Sequence, residues 1–275
     1  MTKITVLIDN QPDPERPSLE TEHGLSFYIQ TDKSNILLDV GASDKFLNNA
    51  GQLGIDIADV DCLVLSHAHN DHTGGLACFL QHNSRAQIYL SSNINAYGYY
   101  SNRRRHMRDI SIDYGLVQTN MHRIVTVTDN IRLTPSVEII SRIPVSHSIP
   151  QANRTLLAGE KPDNFSHEMA LLVREGDRHI LLSSCTHLGL LNTLEACAPI
   201  RPVAFIGGLH LIDSDDNNQF ETDEDYTALS AAIRSQYPGL QIYTGHCTGS
   251  NAKSTLSHLL SGQFHTFHTC SHFQF

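Results

Sequence analysis

The stretch Ser66-His67-Ala68-His69-Asn70-Asp71-His72-Thr73-Gly74-Gly75 places three imidazoles and a carboxylate within six positions. It follows the apolar run 61–66, which has the composition of a buried strand. A loop after a strand lets these four side chains converge, whereas a continued strand would send alternate side chains to opposite faces. Neutral imidazole suits Zn, Fe, Ni and Cu, and a carboxylate adds negative charge. The segment therefore predicts a metal site at the end of this strand.

On either side of this segment, predicted strands and helices alternate along the chain. The first part has strand-like runs at 24–29 and 36–40, and helical spacing follows Gly41 and again over 75–82. The second part repeats this order, with a hairpin over 170–183 and then helices and strands in turn. The pattern predicts two β-sheets packed together with helices outside, a layered α/β arrangement.

Composition restricts the class of protein. The 275 residues carry a formal net charge of −10, which disfavours nucleic acid as the partner. No apolar run approaches the roughly 20 residues needed to span a bilayer, so no membrane association is expected. The first residues turn polar too soon for a secretory leader, and we expect a cytoplasmic protein. The six cysteines lack zinc-ribbon spacing and are interpreted as mostly reduced thiols.

The order His-x-His-x-Asp-His after an apolar strand resembles the signature of the metallo-β-lactamase superfamily. Further segments resemble one branch of it, typified by a 7,8-dihydropterin-6-yl-methyl-4-(β-D-ribofuranosyl)aminobenzene 5′-phosphate synthase. These segments are Glu22-His23-Gly24-Leu25-Ser26, Asp39-Val40-Gly41, Leu53-Gly54-Ile55, Ser184-Cys185-Thr186-His187, Ile206-Gly207-Gly208-Leu209-His210-Leu211 and Thr244-Gly245-His246-Cys247-Thr248-Gly249. The resemblance spans nearly the whole chain.

This resemblance implies a four-layer αβ/βα sandwich formed by a single domain, residues 1–275, with the site at one edge between the two sheets. It also implies two divalent metal ions, with zinc expected and iron or manganese as alternatives. One metal would be bound by His67, His69 and a later histidine, and the other by Asp71, His72 and another. The later ligands are expected to be His187 and His246, because each ends a predicted strand.

The remaining candidates carry weaker signals. His210 also ends a strand and is expected to face the substrate, with a metal-ligand role as an alternative. His147 lies where superfamily enzymes often have a ligand, and His23 and His167 are weaker candidates. Many superfamily hydrolases have a bridging aspartate in the second half, where this chain has Cys185 instead. Cys185 is either a bridging thiolate or a buried, inert thiol.

The basic cluster of the chain lies in the segment near 93–165, which we interpret as a substrate-selecting insertion. The cluster consists of Arg103, Arg104, Arg105 and Arg108. Arginine binds phosphate in a bidentate manner, so the cluster suggests a small anionic substrate. The alternative is a solvated basic surface, and self-association of the chain is left open.

Three functions are consistent with these features. The first is a dinuclear hydrolase of a phosphorylated or ester metabolite, in which two metals lower the pKa of a shared water and Asp71 acts on that water. The second is a synthase that joins a pterin to a ribosyl-aminobenzene phosphate. The third is a di-iron protein for redox or oxygen chemistry, which metal content distinguishes from the others.

Overall fold

The computed structural model describes residues 1–104 and 106–275, and its strands form three sheets. The first sheet has seven strands, which in spatial order are β18 (His272–Gln274), β1 (Lys3–Ile8), β2 (Ser26–Gln30), β3 (Asn35–Leu38), β4 (Cys62–Val64), β5 (Gln87–Ser91) and β8 (Ile124–Val127). The second also has seven, which are β17 (Phe264–Thr266), β16 (Gln241–Thr244), β15 (Ala204–Gly207), β14 (Arg178–Ser183), β13 (Ala170–Glu175), β10 (Val137–Ile140) and β9 (Ile131–Thr134).

A small third sheet lies within the segment interpreted as an insertion. Its four strands are β12 (Lys161–Pro162), β11 (Leu156–Ala158), β6 (Tyr99–Ser101) and β7 (Arg108–Asp109). Residues 124–140 of the same segment instead supply strands β8, β9 and β10 to the two large sheets. The segment 93–165 therefore contributes strands to both large sheets as well as to the small third sheet.

Seven α-helices and three 3₁₀ helices are present in the described residues. The α-helices are α1 (Lys45–Gln52), α2 (Asn70–Thr73), α3 (Leu76–His82), α4 (Tyr114–Thr119), α5 (Leu190–Glu195), α6 (Asp223–Gln236) and α7 (Ser250–Leu259). The 3₁₀ helices are Ile57–Asp59, Met121–Arg123 and Gln151–Thr155. None of the helices in residues 1–104 and 106–275 is long and apolar enough to cross a bilayer.

The layers follow from the alternation of side chains along the strands. In β3, Ile36 and Leu38 pack between the two large sheets, whereas Leu37 packs against the outer helices with Phe46 of α1. The second sheet behaves likewise, since Leu182 faces the first sheet and Leu181 faces Leu256 of α7. Three apolar clusters thus alternate with the sheets, giving the expected αβ/βα sandwich of four layers.

Parallel pairing determines where the strand ends meet. Strands β3, β4 and β5 run parallel in the first sheet, and β14, β15 and β16 run parallel in the second. The carboxyl ends of parallel strands lie at one edge of a sheet, which is where α/β proteins place their ligands. The loops after β3, β4, β14, β15 and β16 carry the aspartate, histidine and cysteine residues considered next.

Candidate metal centre

The histidine-rich segment leaves β4 and turns directly into the short helix α2. His69 is extended (φ −83°, ψ 143°) and precedes the first helical residue, Asn70. Gly74 allows the turn to pack closely, because a Cβ there would lie 2.2 Å from the carbonyl oxygen of Ala42. The segment is therefore partly helical rather than a simple loop, and this places Asp71 and His72 one turn beyond His67.

A first group of imidazoles lies between the strand ends of both sheets. The ring centroids of His67 and His69 are 4.6 Å apart, and that of His187 lies 5.0 Å and 4.9 Å from them. All three rings are buried, and their Nε2 atoms have no hydrogen-bond partner. Buried polar atoms normally have a partner, so three unpartnered imidazole nitrogens at one place are suited to coordinate a metal ion.

A second group surrounds the Asp71 carboxylate. Its Oδ2 lies 3.5 Å from His72 Nε2 and 3.4 Å from His246 Nε2. The two Nε2 atoms are themselves 3.1 Å apart. Three donor atoms of these types converging at one place suit a divalent cation.

Cys185 lies between the two groups. Its sulfur can join His67 and His187 in one ligand set and His72 and His246 in another. The Sγ atom is 3.1 Å from His72 Nε2 and 3.6 Å from Cys247 Sγ. Burial raises the pKa of the Cys185 thiol, and a bound metal would reverse that effect. Each of the six cysteines is a free thiol in this structure.

Hydrogen bonds at Nδ1 orient four of the rings so that Nε2 points inward. The pairs are His67 with Ser66 Oγ at 2.7 Å, His72 with Asp39 Oδ2 at 2.8 Å, His187 with Asn153 Oδ1 at 2.9 Å, and His246 with Asn10 Oδ1 at 3.0 Å. Metal-binding histidines commonly show this arrangement, because a partner at one nitrogen fixes the tautomer and presents the other lone pair.

Asp39 connects the two groups. Its carboxylate accepts hydrogen bonds from His72 Nδ1 and from both the backbone N–H and the hydroxyl of Ser66, at 2.7 Å and 2.6 Å. Because the Ser66 hydroxyl donates to Asp39, it accepts from His67 Nδ1. One buried carboxylate therefore orients a histidine of each group.

Glu168 secures the strand end that carries His187. Its two carboxylate oxygens accept the backbone N–H groups of His187 and Leu188 at 2.7 Å and 2.8 Å. Burial raises the pKa of Glu168 to about 7. The side chain thus stabilises a loop that carries a candidate ligand.

Backbone strain is concentrated at the same strand ends. Asp39, Thr186, His210 and His246 have positive φ values of 62°, 59°, 50° and 47°. Such conformations cost on the order of 1–3 kcal/mol each and accumulate at functional sites. The strain aims the side chains toward the common edge.

Electrostatics favour neutral imidazoles in the first group and an ionised Asp71. Burial lowers the pKa of His67 and His187 far below the usual range and that of His69 to about 3. Burial would raise the pKa of Asp71, but His72 and His246 outweigh it and hold the value well below normal. For His246, burial is outweighed by Cys247 and Asp71, which raise the pKa to about 9.

Known proteins share this architecture. A family model described as the metallo-β-lactamase superfamily matches residues 19–135. A solved metal-dependent hydrolase of the β-lactamase superfamily superimposes with a TM-score of 0.80 at 23% identity, covering 100% of this chain and 99% of the other. Residues 19–135 are thus similar to the metallo-β-lactamase superfamily, and the whole chain has the fold of that superfamily.

Among curated superfamily relatives, a 7,8-dihydropterin-6-methyl-4-(β-D-ribofuranosyl)-aminobenzene-5′-phosphate synthase of Methanocaldococcus jannaschii is 27% identical, covering 90% of this chain and 88% of the relative. Zn²⁺-bound PqqB of Methylobacterium extorquens has a TM-score of 0.60 at 10% identity over 99% of this chain and 100% of the other. A diphosphatase of the PhnP family has a TM-score of 0.54 at 16% identity, covering 100% of this chain and 98% of the other.

His210 lies behind the first group. Its ring centroid is 4.1 Å from that of His187, and neither ring nitrogen has a hydrogen-bond partner. It can join Cys185 and Cys247 in a further set of potential ligand atoms. With an exposed fraction of 6%, it faces the sulfur atoms rather than open solvent.

The arginine cluster divides over different environments. Arg103 contacts Asp215 Oδ2 at 3.3 Å, donates to the Asp213 carbonyl at 3.0 Å, and lies 5.6 Å from the centroid of Phe220. Arg104 and Arg108 are exposed, and Arg105 lies outside the described residues.

The chain just beyond Arg108 contacts the ligand segment. The Ile110 carbonyl accepts the Asn70 N–H at 2.8 Å, and Ser111 forms an isolated β-bridge with His69. The end of the arginine-bearing segment therefore lies beside the metal centre.

His147 is placed elsewhere. Its Nε2 lies 3.5 Å from Glu195 Oε2, and it lines a cavity of about 340 Å³ with Leu190, Leu209 and Leu211. Gly189 also lines this cavity, which therefore adjoins the loops of His187 and His210.

The residues that orient the ligands were not among the predicted site residues. Asp39 lies in the segment Asp39-Val40-Gly41, which carries the family resemblance, and its position at the end of a buried strand was the available signal. Asn10 and Asn153 lie far from the histidines in sequence and carry no motif. Their roles depend on tertiary contacts alone.

Proposed function

We propose that this chain is a dinuclear metal-dependent hydrolase acting on a small phosphorylated or ester metabolite. The observation that carries the proposal is the convergence of two donor groups on Cys185, with orphaned Nε2 atoms in the first and an ionised carboxylate in the second. Imidazole, carboxylate and thiolate together suit zinc, which is the metal we expect.

Each proposed metal position has its own ligands. His67, His69 and His187 would hold the first ion, since their Nε2 atoms are buried and unpaired. Asp71, His72 and His246 would hold the second, and Cys185 lies within reach of both groups. These donors fit a pair of divalent ions, because the Nδ1 contacts already fix the required tautomers in four of the rings.

When bound, two divalent ions would supply a Lewis acid and a water of lowered pKa. Asp71 stays ionised at neutral pH and orients that water through the Oδ2 atom that faces His72 and His246. Asp39 and Ser66 fix the orientation of one imidazole in each group, those of His72 and His67. The buried surroundings strengthen these interactions because few waters screen them.

The substrate is proposed to be anionic. A net charge of −10 repels a free phosphorylated metabolite unless a local positive field captures it. Of the described arginines of the cluster, Arg108 is the best placed for this role, because the segment that follows it contacts the ligand loop at Asn70. Arg103 is already paired with Asp215, which favours a structural role for that residue.

A second candidate is a pterin and ribofuranosyl-aminobenzene phosphate synthase reaction. The observation that favours it is the 27% identity to the archaeal synthase over 90% of this chain. Such a transferase would hold metal ions at the same donor groups, and these ions would stabilise a leaving diphosphate. Product analysis separates the two reactions, because a hydrolase incorporates oxygen from water whereas the synthase joins two organic substrates.

Elemental analysis of protein made in metal-replete medium tests the proposal. We expect about two transition-metal ions per chain, as in two-metal hydrolytic sites. The metal-loaded protein is then assayed against a panel of phosphodiesters, phosphomonoesters and lactones. A metal content near zero after gentle purification would refute the dinuclear site, and iron in place of zinc would favour redox chemistry.

A further inference from the structure

The side chain of Asn10 contacts two histidines at the mouth of the metal centre, and its orientation is fixed by the backbone. The amide oxygen accepts the N–H of Gly24 at 3.4 Å, and the amide nitrogen donates to the carbonyl of His246 at 3.2 Å. Backbone N–H and C=O groups cannot exchange roles. The oxygen and nitrogen of this amide are therefore assigned by their partners.

This assignment sets opposite tautomers in the two rings. His246 Nδ1 lies 3.0 Å from Asn10 Oδ1, so it carries hydrogen, and in the neutral ring Nε2 keeps a free lone pair. His23 Nδ1 lies 3.1 Å from Asn10 Nδ2, a donor, so it must accept. Neutral His23 consequently carries its hydrogen on Nε2. A protonated ring would point Nδ1–H at the amide N–H, which the geometry disfavours.

The position of His23 differs from that of the buried histidines. Its ring stacks on His246 with centroids 5.1 Å apart and an interplanar angle of 26°. Its side chain is 61% exposed, whereas that of His246 is fully buried. The Nε2 atom lies 3.4 Å from Asp71 Oδ2, at the open side of the second donor group.

We propose that His23 is a hydrogen-bond donor to the substrate rather than a metal ligand. In the free protein its Nε2–H faces Asp71, and in the complex it donates to the substrate oxygen on which negative charge develops. The inference rests on the proposed hydrolase function for the identity of that oxygen. Donors of this kind act without proton transfer, because a neutral N–H placed in advance stabilises the charge as it forms.

The tautomer is measured directly by long-range ¹H–¹⁵N NMR on histidine-labelled protein, with and without zinc. The signal that disappears in His23→Gln identifies His23. We expect hydrogen on Nε2 in both states and an unchanged metal content in His23→Gln and His23→Ala. Hydrogen on Nδ1, a zinc-dependent shift typical of a coordinated Nε2, or loss of metal in either variant would overturn the proposal.

Binding of inorganic phosphate to the zinc-loaded protein tests the donor without relying on turnover. We expect His23→Ala to weaken phosphate binding about tenfold, as for one lost hydrogen bond to a charged group. His23→Gln, whose amide retains a donor, should recover most of the affinity, and His122→Ala removes an exposed histidine as the matched control. Phosphate affinity within twofold of wild type in His23→Ala would overturn the proposal.

Activity separates this inference from the proposed function. With an ester that the wild-type protein hydrolyses, kcat should fall roughly tenfold to a hundredfold in His23→Ala, as for one lost hydrogen bond to a charged group, with little change in KM. An unchanged kcat overturns the role of His23 and leaves the hydrolase intact. A wild-type protein that hydrolyses no ester instead refutes the hydrolase, and the NMR and phosphate measurements still decide whether His23 is a donor.

Discussion

At the scale of single residues, Asp71 is the group on which the proposed chemistry depends. Its carboxylate faces the imidazoles of His72, His246 and His23 and is held ionised by them. The first donor group does not include it, so that group should survive its loss. Removing Asp71 should therefore abolish turnover while metal binding at the first donor group persists.

We predict that Asp71→Ala lowers kcat on the best ester by two to four orders of magnitude, the range for losing a catalytic acid or base. The thermal unfolding midpoint of the metal-free protein should stay close to that of wild type, because the side chain is partly exposed. Asp177→Ala, in an exposed turn, is the matched control. A variant that keeps more than about a tenth of the wild-type rate would argue against this role.

For the arginines, we predict that at least one of Arg104, Arg105 and Arg108 contributes to binding of a phosphorylated substrate. Loss of one such pair should raise KM roughly tenfold to a hundredfold. Arg103→Ala should act mainly on stability, since Arg103 is engaged by Asp215 and Phe220. Single alanine variants and their KM values decide the question, and four unchanged KM values would leave the cluster a surface feature.

At the scale of elements, the ligands depend on how strand ends pass into loops and helices. The sequence predicted the strand before His67 and the helix 75–82, because apolar runs and helical spacing report local burial. It did not predict α2 within the ligand segment. Four residues are too short for a periodic signal, and Asp71 and His72 read as a loop by composition.

Gly74 tests how tightly that short helix must pack. In Gly74→Ala the new Cβ would lie 2.2 Å from the carbonyl oxygen of Ala42. We predict that this overpacking lowers the free energy of unfolding by about 1–3 kcal/mol or more. Gly51→Ala, in α1 with nothing within 4 Å, should instead stabilise by about 0.5–1 kcal/mol. Denaturant titration of both variants measures the difference, and equal stabilities would contradict this account.

At the scale of the whole molecule, the candidate ligands come from both sheets. His67, His69, Asp71 and His72 belong to the first, and Cys185, His187 and His246 to the second. Bound ions would therefore connect the two halves of the sandwich across their shared edge. The sequence could indicate which histidines end strands, but the pairing of Asn10, Asp39 and Asn153 with them depends on the packed sheets.

We predict that metal binding raises the unfolding temperature. An ion that binds only the folded state at a hundred times its Kd stabilises by about 2.7 kcal/mol. For a chain of this size that corresponds to roughly 5–10 °C. Calorimetry of chelated and zinc-loaded protein checks this, with the His246→Ala variant expected to gain less. Identical midpoints with and without zinc would indicate that the ion does not bind the folded state at these ligands.

The two sulfur atoms at the centre also make the metal-free protein sensitive to oxidation. Cys185 and Cys247 lie 3.6 Å apart, so hydrogen peroxide can take two electrons and two protons from them, forming a disulfide and two waters. We expect peroxide treatment of chelated protein to remove two titratable thiols and to impair zinc rebinding until dithiothreitol is added. The control variant Cys78→Ser keeps Cys185 and Cys247, so peroxide should still remove two titratable thiols from it. The variant Cys247→Ser cannot form this disulfide and should not lose them. Preparations handled in air would then understate the metal content of the native protein.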